Sequence, residues 1–125
     1  QPSDELLEFN FETSVFRKVL TSGPGPGARW GHAMAVVGNA LYIIGGRDKV
    51  CNFGDTWRLT LDGDDKDKHW LQINNASTHI DMKRYFHVLL DYKDRLYSIW
   101  GKNLYDFCYT DIVANSEQQD RRNKR

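Results

Sequence analysis

Two arginines, two histidines and the rings between them are the residues of this 125-residue chain whose types and spacing best suit chemistry. Arg29-Trp30-Gly31-His32 and Arg84-Tyr85-Phe86-His87 present cation, ring and imidazole in the same order, 55 residues apart. A guanidinium is a planar fork of N–H donors that grips a carboxylate through two parallel bonds, so Arg29 and Arg84 suit carboxylate recognition. The same fork serves equally to pair with an Asp or with backbone carbonyls inside the fold. Trp30 and Tyr85, beside those arginines, carry the large amphipathic rings that interfaces favour. His32 and His87 raise a metal pair, but no carboxylate or Cys accompanies them at ligand spacing, and repeated positions recur for packing reasons. They are read as structural histidines.

The loops supply the other candidates. Arg47 to Phe53 form one polar loop and Lys102 to Phe107 its counterpart, so Arg47, Phe53, Lys102 and Tyr105 join the expected partner contacts. Phe53, Tyr105 and Phe107 anchor a partner if they are exposed and cap the sheet edge if they are not. Asp62 to Lys68 holds four Asp and two Lys but lacks a calcium-loop pattern, and reads as a solvated turn. Thr21 to Gly27 is glycine-rich without the Lys-Ser/Thr of a phosphate loop, and Pro24 and Pro26 remove amides that would cradle phosphate, so it reads as a linker. No Ser-His-Asp set is placed together by any local spacing. Catalysis, a metal and a cofactor are therefore not expected.

Composition narrows the partner. Seventeen basic against seventeen acidic residues leave no global field for nucleic acid or an anionic membrane. No apolar run approaches the roughly 20 residues that span a bilayer as a helix. Four of the last five residues are basic, so the chain before them is mildly acidic, and from Asn115 onward nothing apolar recurs, as in a disordered tail. Cys51 and Cys108 make neither metal-ligand spacing nor a disulfide framework, which fits a reducing, cytoplasmic setting. The chain begins at Gln1, as an excerpt or processed product would.

The 55-residue offset shows what must position these groups. It also aligns Leu41 with Leu96, Tyr42 with Tyr97, Ile44 with Ile99 and Gly46 with Gly101. A period near ~50 marks propeller-type repeats, whose units bury their faces against one another. Within one unit, Ala33 to Val37 and Leu41 to Ile44 flank Gly38-Asn39 as a hairpin, Asp55 to Leu61 alternates with period two as a third strand, and His69 to Ile73 makes a fourth. Trp57, Leu59 and Leu61 share one face of the third strand. Four short strands per unit is one propeller blade. Asp4 to Phe11 and Val15 to Val19 read as the third and fourth strands of a preceding blade. Phe86 to Tyr92 and Arg95 to Trp100 repeat the first hairpin, and a third strand starts at Thr110. The expected organisation is a half blade over 1–22, a complete repeat over 23–77, a partial one over 78–114, and a tail over 115–125.

Pro26-Gly27-Ala28-Arg29-Trp30-Gly31-His32, Leu41-Tyr42-Ile43-Ile44-Gly45-Gly46, Asp55-Thr56-Trp57 and Trp70 together resemble a kelch repeat. The second copy departs from the pattern where Phe86 replaces a Gly and where Trp100 replaces the first Gly of the doublet. The resemblance implies an all-β fold of kelch-type propeller blades, here an incomplete ring whose remaining blades come from the same longer chain or from another copy. It implies a noncatalytic scaffold or adaptor that binds a protein or peptide. In kelch adaptors of ubiquitin ligases the position matching Arg29 and Arg84 grips acidic or C-terminal segments. Related propellers also serve as enzymes of the galactose-oxidase or sialic-acid-mutarotase kind and as actin-associated structural proteins. If Arg29 and Arg84 face a partner, replacing both with Ala weakens binding and leaves the sheets intact.

Overall fold

The computed structural model describes residues 2–73 and 83–102 in full and the backbone of 107–111. Among the described residues, nine short strands form three antiparallel sheets in chain order. The first holds β1 (Leu6–Asn10) and β2 (Val15–Val19). The second runs β3 (Ala33–Val37), β4 (Ala40–Ile44), β5 (Thr56–Thr60) and β6 (Trp70–Ile73); the third runs β7 (Val88–Tyr92), β8 (Arg95–Ile99) and β9 (Phe107–Asp111). This is the blade order expected from the repeat, with an open, incomplete ring.

Alternation decides the faces. Ala33 pairs with Ile44, Ala35 with Tyr42 and Val37 with Ala40, so these side chains lie on one face of the second sheet. Ala33, Ala40, Tyr42, Ile44 and Ile73 pack there against Leu89 and Leu96 of the third sheet, forming the main apolar core. Ala33 and Ala35 of β3 let that strand approach β7 closely, while the larger Ile44 and Leu96 fill the space behind and are fully buried. Leu41, Ile43, Trp57 and Leu59 occupy the opposite face and are also buried. That face looks toward the first sheet, where Leu6 lies across a shallow cleft from Ile43 and Trp70.

A polar knot on the outer side ties the first sheet to the second. The Asp65 carboxylate accepts from Arg17 Nη1 at 2.7 Å, from the Leu20 amide at 3.3 Å and, through its other oxygen, from Lys68 Nζ at 3.3 Å. Its hydrogen bond with Arg17 is the main reason its pKa is lowered to about 2. The acidic turn between β5 and β6 is thus a clasp, with a single 3-10 turn at Asp65–Asp67, and is not only a solvated loop.

Two expectations need correction, and the second hairpin holds as expected. Leu61 lies beyond the end of β5 and is exposed, so the apolar face of that strand ends at Leu59. β9 starts at Phe107 and not at Thr110, because the connection from β8 is shorter than its counterpart from β4, and Phe107 therefore belongs to a strand. The second hairpin closes through Lys93 (φ 44) and Asp94 (φ 62), both left-handed without glycine. That is the backbone of a I′ turn, whose twist matches the flanking strands.

The seam between the second and third sheets depends on Gly45. Its φ is +70, and a Cβ there would lie 2.6 Å from the Arg84 carbonyl oxygen. The adjoining Gly46 amide donates to that same oxygen at 2.8 Å. Gly45→Ala is expected to destabilise the fold by more than about 2 kcal/mol, from left-handed strain plus a backbone clash. Urea unfolding with an unchanged m-value is the measurement that checks it.

Candidate protein-interaction surface

Arg29 sits just before β3 with only 5% of its surface exposed. Its fork is fully engaged inside the blade. Nη1 donates to the Gly45 carbonyl at 2.9 Å and to Asp55 Oδ1 at 2.6 Å, Nη2 to Asp55 Oδ2 at 3.0 Å, and Nε to the Pro26 carbonyl at 3.0 Å. Nη2 also meets Pro26 O. The Phe53 ring lies against the guanidinium, 4.2 Å from centroid to Cζ. Asp55 in turn accepts the Trp57 indole N–H at 2.6 Å. Arg84 repeats the arrangement: it is fully buried, and Nη1 donates to the carbonyls of Ser98 and Trp100, each at 3.3 Å. Trp100 corresponds to Gly45 in the 55-residue register, so both arginines bind the equivalent carbonyl. This corrects the expectation of rim arginines open to a partner, because a fork buried on all sides has no face to offer. Phe53, half-buried over Arg29, belongs to the same internal assembly.

Trp30, Arg47, Tyr85 and Lys102 meet a different fate. Trp30 and Arg47 exchange backbone hydrogen bonds at 2.9 Å, and Tyr85 and Lys102 do the same at 3.4 and 2.8 Å. These pairs join the starts of β3 and β7 to the ends of β4 and β8, which places all four residues at one end of the sheets. The Phe86 amide donates to the Gly31 carbonyl at 2.7 Å and brings the two repeats together. Trp30 and Tyr85 then stand edge to face at 5.7 Å between centroids, with Phe86 5.6 Å from Trp30 and 5.3 Å from Tyr85. The Arg47 Cζ lies 5.1 Å from the Trp30 ring and 5.0 Å from the Tyr85 ring, and Nη1 reaches the Tyr85 hydroxyl at 3.4 Å. Arg47 and Tyr85 are half-buried; Trp30 is 36% and Phe86 60% exposed, and Lys102 is exposed.

The result is a convergent patch of three rings and two cations. Phe86 entered the sequence reading only as a misfit in the repeat; a large apolar residue where its sister repeat has Gly31 was the signal. Tyr105 lies outside the described residues, as do the side chain of Cys108 and the stretch from Asn115. Cys51 is an exposed free thiol next to Asp48, whose carboxylate accepts the Val50 and Cys51 amides at 2.7 and 2.6 Å. Those two bonds hold the Asp48 pKa below the ordinary carboxylate value.

His32 and His87 flank the seam between the two sheets. Burial lowers the His87 pKa to about 4, helped by the Arg84 guanidinium and by His32, against a smaller upward pull from the Ile44 backbone. Burial likewise lowers His32, with Arg29 adding to the effect. Among the described residues, no group of three His, Cys, Asp or Glu could hold a metal ion.

Two outcomes follow from this geometry. Arg29→Ala leaves Asp55 without its ion pair and is expected to destabilise the fold by about 3–5 kcal/mol. Loss of the far-UV sheet signal at lower denaturant checks it, and an intact sheet would show that Arg29 is dispensable. For His87, the unfolded chain binds a proton below about 6.5 that the folded chain refuses until about 4. Stability is therefore full above pH 6.5 and falls as pH drops from 6.5 toward 4. The melting temperature should follow that slope in the native chain and fall less steeply in His87→Gln, where the lowered His32 still contributes in the same direction.

The KLHDC2/KLHL20/DRC7 Kelch-repeats domain family matches residues 1–119. Among curated relatives, tip elongation aberrant protein 1 of Schizosaccharomyces pombe is 29% identical over 91% of this chain, and Kelch-like protein 13 of Mus musculus is 29% identical over 81%. Serine/threonine-protein phosphatase BSL2 of Arabidopsis thaliana is 40% identical over 43% of the chain. The aligned segments cover 10%, 14% and 5% of those three proteins, so the chain spans only a small part of each relative's length. Kelch domains are generally protein-interaction modules. With its four-stranded sheet, its repeated buried arginine and a family match along nearly its whole length, this chain belongs to the kelch-repeat family.

Proposed function

We propose that this chain is a noncatalytic protein-binding module that receives an acidic segment of a partner on the patch formed by Trp30, Arg47, Tyr85, Phe86 and Lys102. The observation that carries this reading is Arg47, whose guanidinium lies against both the Trp30 and the Tyr85 rings at about 5 Å from each. Contact with both rings restricts the side chain, so its N–H groups meet a carboxylate with less further loss of freedom. Lys102, exposed and paired through its backbone with Tyr85, adds a second positive charge at this end of the sheets. Arg29, Arg84 and Phe53 support this surface from within the blades and do not touch the partner.

Internal and external arginines separate in experiment. Arg47→Glu is expected to weaken binding of a fluorescein-labelled glutamate-rich peptide at least tenfold while shifting the melting temperature by no more than about 2 °C. Wild-type affinity for the same peptide should fall as salt rises, since the contact lies at the surface. An Arg47→Glu chain that binds as tightly as wild type would end the proposal.

A further inference from the structure

His87 stands inside the joint between the second and third sheets, just before β7, with 7% of its surface exposed. A Cβ on Gly45 would lie 2.8 Å from its Cε1, so the ring edge rests against the end of β4. His32 holds the matching place one repeat earlier, where a Cβ on Gly46 would lie 2.9 Å from the His32 Cβ. Two histidines from neighbouring repeats thus bracket one glycine pair. Both sheets that enclose the His87 ring belong to this chain.

Neither ring nitrogen of His87 makes a well-formed hydrogen bond among the described residues. A neutral imidazole tolerates that better than an imidazolium, which brings a charge and a second N–H donor into the same space. The nearby charges disfavour the imidazolium further: Arg84 acts on it from its own segment and His32 from across the joint, against a weaker opposite pull from the Ile44 backbone. Arg29 acts on His32 in the same sense. Asp55, the carboxylate beside β5, is engaged by Arg29 and the Trp57 indole.

Three backbone bonds tie the sheet ends together at this level. The Gly46 amide donates to the Arg84 carbonyl at 2.8 Å, the Arg84 amide to the Phe53 carbonyl at 3.2 Å and the Phe86 amide to the Gly31 carbonyl at 2.7 Å. These bonds hold Tyr85 beside Trp30 and Arg47. Farther along the joint, Ala33, Ile44, Leu89 and Leu96 form an apolar core that a proton leaves untouched. We propose that His87 is an acid latch: its protonation parts the sheet ends at Gly45 and Gly46 while the apolar core stays closed, and so moves Tyr85 away from Arg47. The loss of partner binding in acid rests on the protein-binding reading above, whereas the opening itself does not. A ring that takes its proton at an ordinary 6.5 in the open joint and at about 4 in the closed one makes opening roughly thirtyfold more favourable at pH 5 than at neutral pH. Ends that are open in roughly 3% of molecules at neutrality are then open in about half of them.

Hydrogen exchange of assigned amides in the full chain, corrected for intrinsic rates, tests the latch. Protection of the Gly46, Arg84 and Phe86 amides is expected to fall at least about tenfold from pH 7.5 to pH 5, and to lie at least about tenfold below that of the β4 and β8 amides at both. His87→Gln should lose much less protection, the remainder belonging to His32. A rhodamine-labelled glutamate-rich peptide should bind wild type about twofold more weakly than His87→Gln at pH 5. The His87 ring proton should titrate with a midpoint below about 6, which the native chain reports even where the variant does not fold. Unchanged protection at pH 5, exchange as slow as in β4 and β8, a loss carried over in full to His87→Gln, or a His87 midpoint at its ordinary value would each overturn the latch. A joint that opens without weakening the peptide would overturn the control of binding. A peptide that binds at neither pH would overturn the protein-binding reading and leave the latch standing on the exchange data.

Discussion

The buried fork of Arg29 is the constraint on which the rest of the blade depends. One guanidinium holds the linker through Pro26, the end of β4 through Gly45 and the start of β5 through Asp55. These three segments are distant in sequence, and only a rigid, multi-donor cation can bind all of them at once. Asp55 extends the assembly to the Trp57 indole, and Phe53 closes it from the side. A lysine would provide the charge without the geometry. Because a carbonyl at the end of β4 is the acceptor, the fork also sets where that strand stops and how the following residues turn out toward solvent.

That turning is what separates structural from exposed chemistry. Arg29 and Arg47 are both arginines near the same strand ends, yet one is enclosed by carbonyls and a carboxylate and the other is flanked by two rings. The first fixes the frame, and the second rides on it. The pairing of Trp30 with Arg47 and of Tyr85 with Lys102 makes the outer surface an extension of the hairpins, so its side chains are carried on hydrogen-bonded backbone and not on free loops.

Much of this was legible in the sequence. Hairpins announce themselves by alternation and by short turns, and the period of 55 identified the arginines, rings and histidines as equivalent pairs. The use of Arg29 was not legible, because its carboxylate partner stands 26 residues away and no local pattern says which Asp will fold back. Arg47 and Lys102 are legible as loop charges, but the contact of Arg47 with two rings from different repeats is a tertiary fact. Phe86 and Trp100 stood out as misfits, and only the backbone shows that the repeat's left-handed turn persists beneath them. The early start of β9 is hidden for the opposite reason: exact repetition points to Thr110, and the connection before the strand is shorter than its counterpart.

The two joints between neighbouring sheets are built from different materials. One is the alanine-lined apolar seam closed by Leu89 and Leu96; the other depends on the Asp65 clasp at the outer side, with charged groups facing water. Water competes for the second and not for the first. Amide hydrogens in β1 and β2 should therefore exchange through a local opening that leaves β3 to β8 closed, and the chain comes apart in steps from its N-terminal hairpin inward.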